Sequence, residues 1–250
     1  MPAPAPAPPR VKICGITRLA DAELAVSLGA WAIGLILWPG SPRRCRSAQA
    51  AQIAAAVRRR CEVVGVFVNP TLEQVVRASE QIALSVVQLH GEEGPAFCAE
   101  VARRTGARVI KAARVRSGGD IQALSPYHTD FHLLDSYVPG RPGGNGETFA
   151  WELARAHRSR VPLILSGGLH AGNVAAAIAA VSPFAVDVAS GVESEPGIKD
   201  PERLEDFFAA VYGAGPHAAR LRAVHAPPGP RAHAPAGAAA HARPPTPTSR

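Results

Sequence analysis

Two side chains that can exchange protons each stand at the end of a short apolar segment. Cys14 closes VKIC within the stretch VKICGITR, and Asp135 closes FHLLD. A carboxylate at the end of an apolar run is costly unless it is used or paired. A buried free cysteine is usually a packing residue, yet a packing role needs no glycine after it, and Gly15 follows Cys14. The pattern favours a functional Asp135 and leaves Cys14 open between packing and catalysis.

Two later apolar segments end in small residues of the kind that bind phosphate. LSGGLH contains Gly167 and Gly168, and ASGVE contains Ser190 and Gly191. Glycines let backbone N–H groups approach phosphate oxygens, and a following helix N-terminus adds a favourable dipole. One such loop could be an ordinary tight turn. Two such loops, each at the end of one of the last two apolar segments of the folded region, indicate a phosphate site.

Two other stretches are candidates for substrate contact. The segment YVPGRPGGNGETF, with Gly144 and Gly146, is longer than a usual connection. Long loops of this kind are often lids or binding loops, and the alternative is a floppy insertion. In WPGSPRRCR, Arg43 or Arg44 could hold a carboxylate through two parallel hydrogen bonds. Composition alone favours a solvated basic turn there.

His90 and three further cysteines complete the candidates. His90 ends the run SVVQLH and either lines a pocket or is a structural histidine. Cys45, Cys61 and Cys98 lie in a loop, at a strand start and on a helix, and are interpreted as structural. The four cysteines lack the paired spacing of a zinc site.

The elements that must position these residues are eight short apolar, β-branched runs separated by helical segments. Continuous rather than alternating runs are typical of parallel strands covered on both faces. Eight strand–helix units in about 200 residues predict a single-domain (β/α)₈ TIM barrel, whose strand C-termini and following loops form the active site. A doubly wound open sheet is the alternative, but no G-x-G-x-x-G opens the first helix. The runs are residues 11–17, 32–37, 62–67, 85–90, 107–114, 131–136, 162–168 and 185–190.

Helix signals fill the gaps between these runs. A capping box begins at Thr71, Pro95 opens a helix that stops near Gly106, and Asp200-Pro201-Glu202 reads as an N-cap followed by the first helical turn. Further helices are expected after Arg18, Ser47, Ser117, Thr148 and His170.

Both ends of the chain differ from this pattern. Residues 1–10 are rich in proline and alanine, and residues 213–250 are rich in proline, alanine, histidine and arginine, so both are predicted to be disordered around a barrel of residues 11–212. The formal net charge is +7, and the C-terminal segment supplies five arginines and no acids, which leaves +2 for the rest. These arginines are sparse and no aromatic residue interleaves with them, which argues against nucleic-acid binding.

The chain also lacks the signals of export and membrane insertion. The N-terminus MPAPAPAPPR has no apolar h-region, and no apolar run reaches the roughly 18 residues that span a bilayer. We therefore expect a cytoplasmic protein with free thiols and no membrane partner.

Taken together, the motifs resemble a known family. KICGIT, SPR, QLHG, LLDS…GGNGETF, LSGGL and VDVASGVE…G-IKD, in this order between Val11 and about Val211, are similar to phosphoribosylanthranilate isomerase of tryptophan biosynthesis. The resemblance implies a (β/α)₈ barrel and an Amadori rearrangement of N-(5-phospho-β-D-ribosyl)anthranilate to the 1-deoxyribulose 5-phosphate compound. It implies a small phosphorylated substrate and no metal or cofactor. The sequence leaves monomer and homodimer open.

The resemblance also assigns roles. It implies that Cys14 is the general base, that Asp135 is the general acid and that Arg43 holds the anthranilate carboxylate. If Cys14 is the base, we expect Gly15 to keep the space beside it clear for substrate. His90 and Asp187 are expected to face the substrate. The residues expected around the phosphate are Gly144, Gly146, Gly167, Gly168, Ser190 and Gly191.

The implied mechanism makes a demand on two pKa values. Asp135 would protonate the ring oxygen, and Cys14 would then remove the C2 proton from the opened Schiff base. Free carboxyl and thiol groups titrate near 3.9 and 8.5, so both pKa values would have to move toward neutrality. A thiolate raises the pKa of a nearby carboxyl, but the same repulsion opposes the thiolate. Backbone dipoles or Lys12 would then have to lower the pKa of Cys14.

Some departures and rivals remain. WPG precedes SPR, Arg44 stands where an aromatic residue is usual, and Ala189 replaces a common serine, which leaves details of the substrate loops open. A histidine-pathway phosphosugar isomerase is one rival, but it uses an aspartate at the first strand, and Cys14 argues against it. Dual substrate use stays open. A non-catalytic phosphate-binding barrel is a second rival, and the presence of both Cys14 and Asp135 does not favour it.

Overall fold

A computed structural model describes residues 8–135 and 147–213, with the side chains of 147–150 left aside. In this part of the chain, eight parallel strands pair in sequential order and the last pairs with the first, which closes a barrel. The predicted (β/α)₈ fold is confirmed. The strands are β1 Arg10–Cys14, β2 Ala32–Ile36, β3 Glu62–Phe67, β4 Val86–Leu89, β5 Arg108–Arg114, β6 Phe131–Asp135, β7 Leu163–Ser166 and β8 Ala185–Val188.

Helices follow the strands and cover the barrel. The capping box at Thr71 and the N-cap at Asp200 form as expected, and the left-handed Gly106 ends the helix that Pro95 begins. These matches show local sequence setting the helix ends. The helices are α1 Leu19–Ser27, α2 Ser47–Val57, α3 Leu72–Ile82, α4 Pro95–Thr105, α5 Gly118–Gln122, α6 Glu147–Ala154, α7 Val174–Val181 and α8 Pro201–Tyr212.

Two features between β8 and α8 were not predicted. The segment Ser190–Val192 forms one turn of 3-10 helix, and the strands β9 Glu193–Glu195 and β10 Ile198–Lys199 then form a small antiparallel pair. This short hairpin folds back over the C-terminal end of the barrel, and its residues enter the site described below.

Alternation along the strands divides the buried residues into two layers. Val11 and Ile13 of β1 pack outward with the helices, whereas Cys14 packs with the barrel interior. Because strand side chains alternate between faces, Lys12 lies on the same inner face as Cys14. The small and branched residues Ala32, Val64 and Ile110 fill the interior below them.

Aromatic rings close the N-terminal end of the barrel. Trp31, Phe131 and Phe184 pack with ring centroids 5.3–5.5 Å apart, and the Arg10 guanidinium lies 4.9 Å from the Phe184 ring centroid. Strand β1 therefore begins at Arg10, where the predicted leader ends. Residues 1–7 and 214–250 lie outside the described residues, so disorder of the two tails remains a prediction. No helix in residues 8–135 and 147–213 is both long and apolar enough to cross a bilayer.

A pair of histidines lies between the sheet and the helices. His132 Nε2 is 2.9 Å from the Tyr127 carbonyl oxygen and donates to it, so in a neutral His132 ring Nδ1 accepts from His157 Nε2 at 3.0 Å. Burial lowers the pKa of both side chains below the ordinary histidine value.

We expect this pair to make stability fall in mild acid. Below about pH 6.5 the two histidines become protonated in the unfolded chain, whereas the folded pair stays neutral down to a lower pH. The free energy of unfolding is therefore largest above that pH and falls as the pH decreases. His157→Gln keeps a donor for His132 and removes one titrating group. Its loss of unfolding free energy between pH 7.5 and 5 should be smaller than that of the wild type. Urea denaturation at the two pH values measures this, with exposed His128→Gln as the control. An equally steep loss in His157→Gln would contradict the assignment.

Candidate active site

The C-terminal ends of the strands bring the candidate residues to one end of the barrel. Cys14 ends β1, Asp135 ends β6 and Asp187 lies near the end of β8, while His90 directly follows β4. Cys14 is 7% exposed and Asp187 is buried, whereas the Asp135 side chain is 26% exposed. The site thus combines a recessed thiol with a carboxyl group that solvent can reach.

A buried ion pair lies beside the thiol. Lys12 is fully buried, and its Nζ is 2.8 Å from Asp187 Oδ1; its positive charge interacts with the Cys14 thiol. Ser166 Oγ, 3.3 Å from Asp187 Oδ2, donates to the other carboxylate oxygen. Asp187 therefore holds Lys12 in place against the cysteine.

The pKa of Cys14 moves opposite to the expectation drawn from the sequence. Burial raises the pKa of the thiol above its ordinary value, and the positive charge of Lys12 opposes this shift without reversing it. For Lys12, burial alone would lower the pKa, but attraction to Asp187 and Cys14 outweighs it and leaves the pKa raised. Lys12 therefore stays protonated beside a thiol that resists ionisation.

Two glycines make room for this arrangement. An ideal Cβ on Gly34 of β2 would lie 2.8 Å from Cys14 Sγ and 3.2 Å from Lys12 Nζ, so a side chain there would displace both. Gly15 has φ +75° and a Cβ there would meet Arg43 Cδ at 2.9 Å. Backbone conformation and the approach of Arg43 therefore both favour glycine at position 15.

Arg43 is held by a glutamate that the sequence analysis did not single out. Its Nε lies 2.9 and 3.0 Å from the two carboxylate oxygens of Glu193, and its guanidinium also forms a 2.8 Å ion pair with that group. Glu193 Oε1 also accepts from Lys199 Nζ at 2.9 Å. The predicted carboxylate-binding arginine is therefore fixed in position by the hairpin after β8.

Lys199 connects this hairpin to strand β1. Its fully buried Nζ donates to the Cys14 carbonyl at 2.6 Å and to the Ala189 carbonyl at 3.0 Å, in addition to Glu193. Burial lowers the pKa of Lys199, and the bond to Glu193 opposes that shift. Burial would raise the pKa of Glu193, but hydrogen bonds from Arg43 and Lys199 outweigh it and the pKa is lowered. Three acceptors around one ammonium group support a charged Lys199.

A second network orients the candidate acid. Gln88 Nε2 lies 2.9 Å from His90 Nδ1 and donates to it, so neutral His90 carries its proton on Nε2, which is 3.2 Å from Asp135 Oδ2. The loop that carries His90 is held by Lys111, which donates to the Gly91 carbonyl and to Glu93 Oε2 at 2.8 Å. One oxygen of Asp135 is thus engaged by His90.

The predicted phosphate loops meet at the ends of β7 and β8. Gly167 and Gly168 have φ +91° and +63°, values that favour glycine. A Cβ on Gly191 would lie only 1.9 Å from the Leu169 carbonyl oxygen, so the two loops touch backbone to backbone. Asn173 Nδ2 donates to the Gly168 carbonyl, which fixes the turn before α7.

Part of the predicted site lies outside the described residues. This holds for Gly144 and Gly146 and for the long loop after Asp135, residues 136–146. Ser190 begins the 3-10 turn next to Gly191. Arg44 and Trp38, two of the departures, line a cavity of about 650 Å³ between the β2 and β3 exits, where Trp38 is 41% exposed.

The fold and the site together define a class: a (β/α)₈ barrel that presents a thiol, a carboxyl group and two touching glycine-rich loops at its C-terminal end. Comparison with known proteins narrows the class. The family model described as "N-(5'phosphoribosyl)anthranilate (PRA) isomerase" matches residues 11–210. The chain belongs to this family, which confirms the resemblance found in the sequence.

Individual relatives agree with the family model. A protein of Citrifermentans bemidjiense named N-(5'-phosphoribosyl)anthranilate isomerase is 46% identical over 200 residues, covering 80% of this chain and 95% of the relative. The phosphoribosyl anthranilate isomerase structure from Thermotoga maritima is 42% identical with a TM-score of 0.75, covering 82% and 99% of the two chains. A further isomerase structure, in complex with reduced 1-(o-carboxyphenylamino)-1-deoxyribulose 5-phosphate, is 38% identical with a TM-score of 0.71, covering 82% and 99%.

Removing the ammonium of Lys199 should destabilise the barrel. Lys199→Met leaves the buried Glu193 with Arg43 and the Gly197 N–H as its partners, and we expect a loss of about 3 kcal/mol in unfolding free energy. Adding Glu193→Gln should make the double variant less destabilised than the sum of the two single variants, because no buried carboxylate is left short of a partner. Denaturant unfolding measures the cycle. Arg77→Met, which breaks an exposed pair with Glu73, is the control and should cost less than about 1 kcal/mol. Equal losses for Lys199→Met and Arg77→Met would refute this account.

Proposed function

We propose that this chain catalyses the Amadori rearrangement of N-(5-phospho-β-D-ribosyl)anthranilate to 1-(2-carboxyphenylamino)-1-deoxy-D-ribulose 5-phosphate, a step of tryptophan biosynthesis. The observation that carries the proposal is the pairing of Cys14 and Asp135 at strand ends of one barrel mouth, in a chain of the isomerase family. A base and an acid are what an aldose–ketose isomerisation needs.

The acid step falls to Asp135. Its Oδ2 accepts the hydrogen bond from His90, so a proton on Oδ1 is free to move to the furanose ring oxygen. As that proton transfers, the bond between C1 and the ring oxygen breaks, and the nitrogen electron pair forms the C1=N bond of a Schiff base. His90 thus orients the acid toward the substrate.

The base step falls to Cys14 as its thiolate. The sulfur takes the C2 proton, the C–H electrons form C1=C2, and the C=N electrons return to nitrogen, which gives an enolamine. The enolamine then loses its C2 hydroxyl proton and gains a proton at C1 to become the ketone. Because burial raises the pKa of Cys14, kcat/KM should increase with pH through the neutral range as the thiolate forms.

Binding roles are assigned to the residues around this pair. Arg43, oriented by Glu193, holds the anthranilate carboxylate, and Asp187 faces the sugar while it pairs with Lys12. The residues that surround the phosphate are Gly144, Gly146, Gly167, Gly168, Ser190 and Gly191. The reaction takes place in the cytoplasm on a small phosphorylated substrate, by a monomer or a homodimer, without metal or cofactor.

Turnover of phosphoribosylanthranilate, followed by its fluorescence, tests the reaction and the roles. We expect activity in the wild type and a loss of kcat of about 10²–10⁴-fold in both Cys14→Ala and Asp135→Asn, because each removes one proton-transfer group. Cys98→Ala, which removes a buried thiol on α4, is the matched control and should keep its kcat. If Cys14→Ala still converts the substrate, the proposed reaction stands but Cys14 is not its base. A folded wild type without turnover would overturn the proposed function, and the histidine-pathway substrate would be tested next.

The touching loops provide a separate test of phosphate binding. Gly191→Ala places a Cβ against the Leu169 carbonyl and should push the two loops apart, which raises KM for the substrate at least tenfold and weakens inhibition by inorganic phosphate in parallel. Gly172→Ala is the control, because its Cβ meets only the ring of His170. If Gly191→Ala and Gly172→Ala have the same KM for the substrate, the loops do not hold the phosphate.

A further inference from the structure

The thiol that should act as a base lies where ionisation is difficult. Cys14 is nearly enclosed, and burial disfavours the thiolate. The charged groups around it come from three strands: Lys12 of β1, Asp187 of β8 and Lys199 of β10. Of these, Lys12 and Lys199 favour the thiolate and Asp187 opposes it. The balance among these three charges decides whether the base can form.

Lys12 is the cation placed to decide this balance. Its ammonium donates to Asp187, and an ideal Cβ on Gly34 would lie 3.2 Å from this ammonium and 2.8 Å from the Cys14 sulfur, so the two groups are neighbours. The Lys199 ammonium instead donates its hydrogen bonds to the Cys14 and Ala189 carbonyls and to Glu193. Gly34 leaves the space in which Lys12 and the sulfur meet. A lysine is also long enough to reach the sulfur from two residues back on the same inner strand face.

We propose that Lys12 is a positioning residue for the reaction: held by Asp187, its ammonium is the counter-ion that stabilises the Cys14 thiolate inside the barrel. The inference rests on the proposed function, in which Cys14 is the base. When the thiol ionises, its proton leaves to water, and the negative charge stays between the sulfur and the Lys12 ammonium. Lys12 remains protonated throughout and takes no proton from the substrate.

The arrangement predicts opposite effects for its two members. Lys12→Met keeps much of the side-chain volume and removes the cation, so the thiolate should form at higher pH. Asp187→Asn removes the anion and leaves the Lys12 charge to the sulfur alone, so the thiolate should form at lower pH. A merely structural role would disturb the pocket in both variants and would give no such reversal of sign.

The test is the pH dependence of Cys14 alkylation by iodoacetamide in the full chain, read by mass spectrometry of the peptide that contains Cys14. We expect the alkylation midpoint to move up by at least one pH unit in Lys12→Met and down in Asp187→Asn. At pH 8 the alkylation rate should fall about tenfold in the first variant. Lys111→Met removes another buried lysine, one paired with Glu93, and should leave the midpoint unchanged.

The outcomes separate this inference from the proposed function. An unchanged midpoint in Lys12→Met, or shifts of the same sign in both variants, overturns the role of Lys12. If Lys12→Met does not fold, as seen by circular dichroism, the downward shift in Asp187→Asn alone still decides, since no shift or an upward one refutes the inference. Alkylation requires no turnover, so its result stands whether or not phosphoribosylanthranilate is a substrate.

Discussion

The upper half of this barrel depends on buried ammonium groups that are each neutralised by a carboxylate. An isolated buried charge is costly, so each lysine must find its partner for the chain to fold. The first pair joins strands β1 and β8, whose members are 175 residues apart, and so completes barrel closure with an ion pair as well as a backbone ladder. The pairs are Lys12 with Asp187, Lys111 with Glu93, and Lys199 with Glu193.

These pairs also fix the loops on which the proposed chemistry depends. Lys111 and Glu93 hold the turn that carries His90, and His90 contacts Asp135. Lys199 fastens the hairpin after β8 to the backbone of Cys14. Stability and function are therefore difficult to separate here, because the charges that hold the barrel mouth together also set the electric field at the thiol. Burial raises the pKa of Cys14, and the same enclosed environment strengthens its interaction with Lys12.

The sequence predicted the barrel well because its signals are local. Each apolar run became a strand, and caps such as Thr71 and Asp200 set helix starts through bonds to their own neighbours. The strand exits likewise placed Cys14 and Asp135 at one end, since all strands of a parallel barrel point the same way.

What the sequence analysis missed depends on contacts between distant residues. The partner of Arg43 is 150 residues away, and Lys199 is reached only because β9 and β10 fold back over the barrel. Nothing in the sequence distinguishes Gly34 from other strand residues, whereas in the structure Lys12 and Cys14 fill the space beside it. The direction in which the pKa of Cys14 shifts could not be predicted from the sequence either. It depends on how deeply the thiol is buried and on how close the Lys12 charge lies, and both are known only from the structure.

One segment connects both ends of the proposed substrate. In residues 189–199, Gly191 touches the β7 loop at the proposed phosphate site, Glu193 holds Arg43 at the proposed carboxylate site, and Lys199 bonds to the backbone of Cys14, the proposed base. The two sites that would bind the anionic ends of the substrate are therefore both positioned by this one short segment. Because that piece is anchored to Cys14 itself, a molecule of the right length would bring its C2 to the sulfur, whereas a shorter phosphosugar could satisfy only one end.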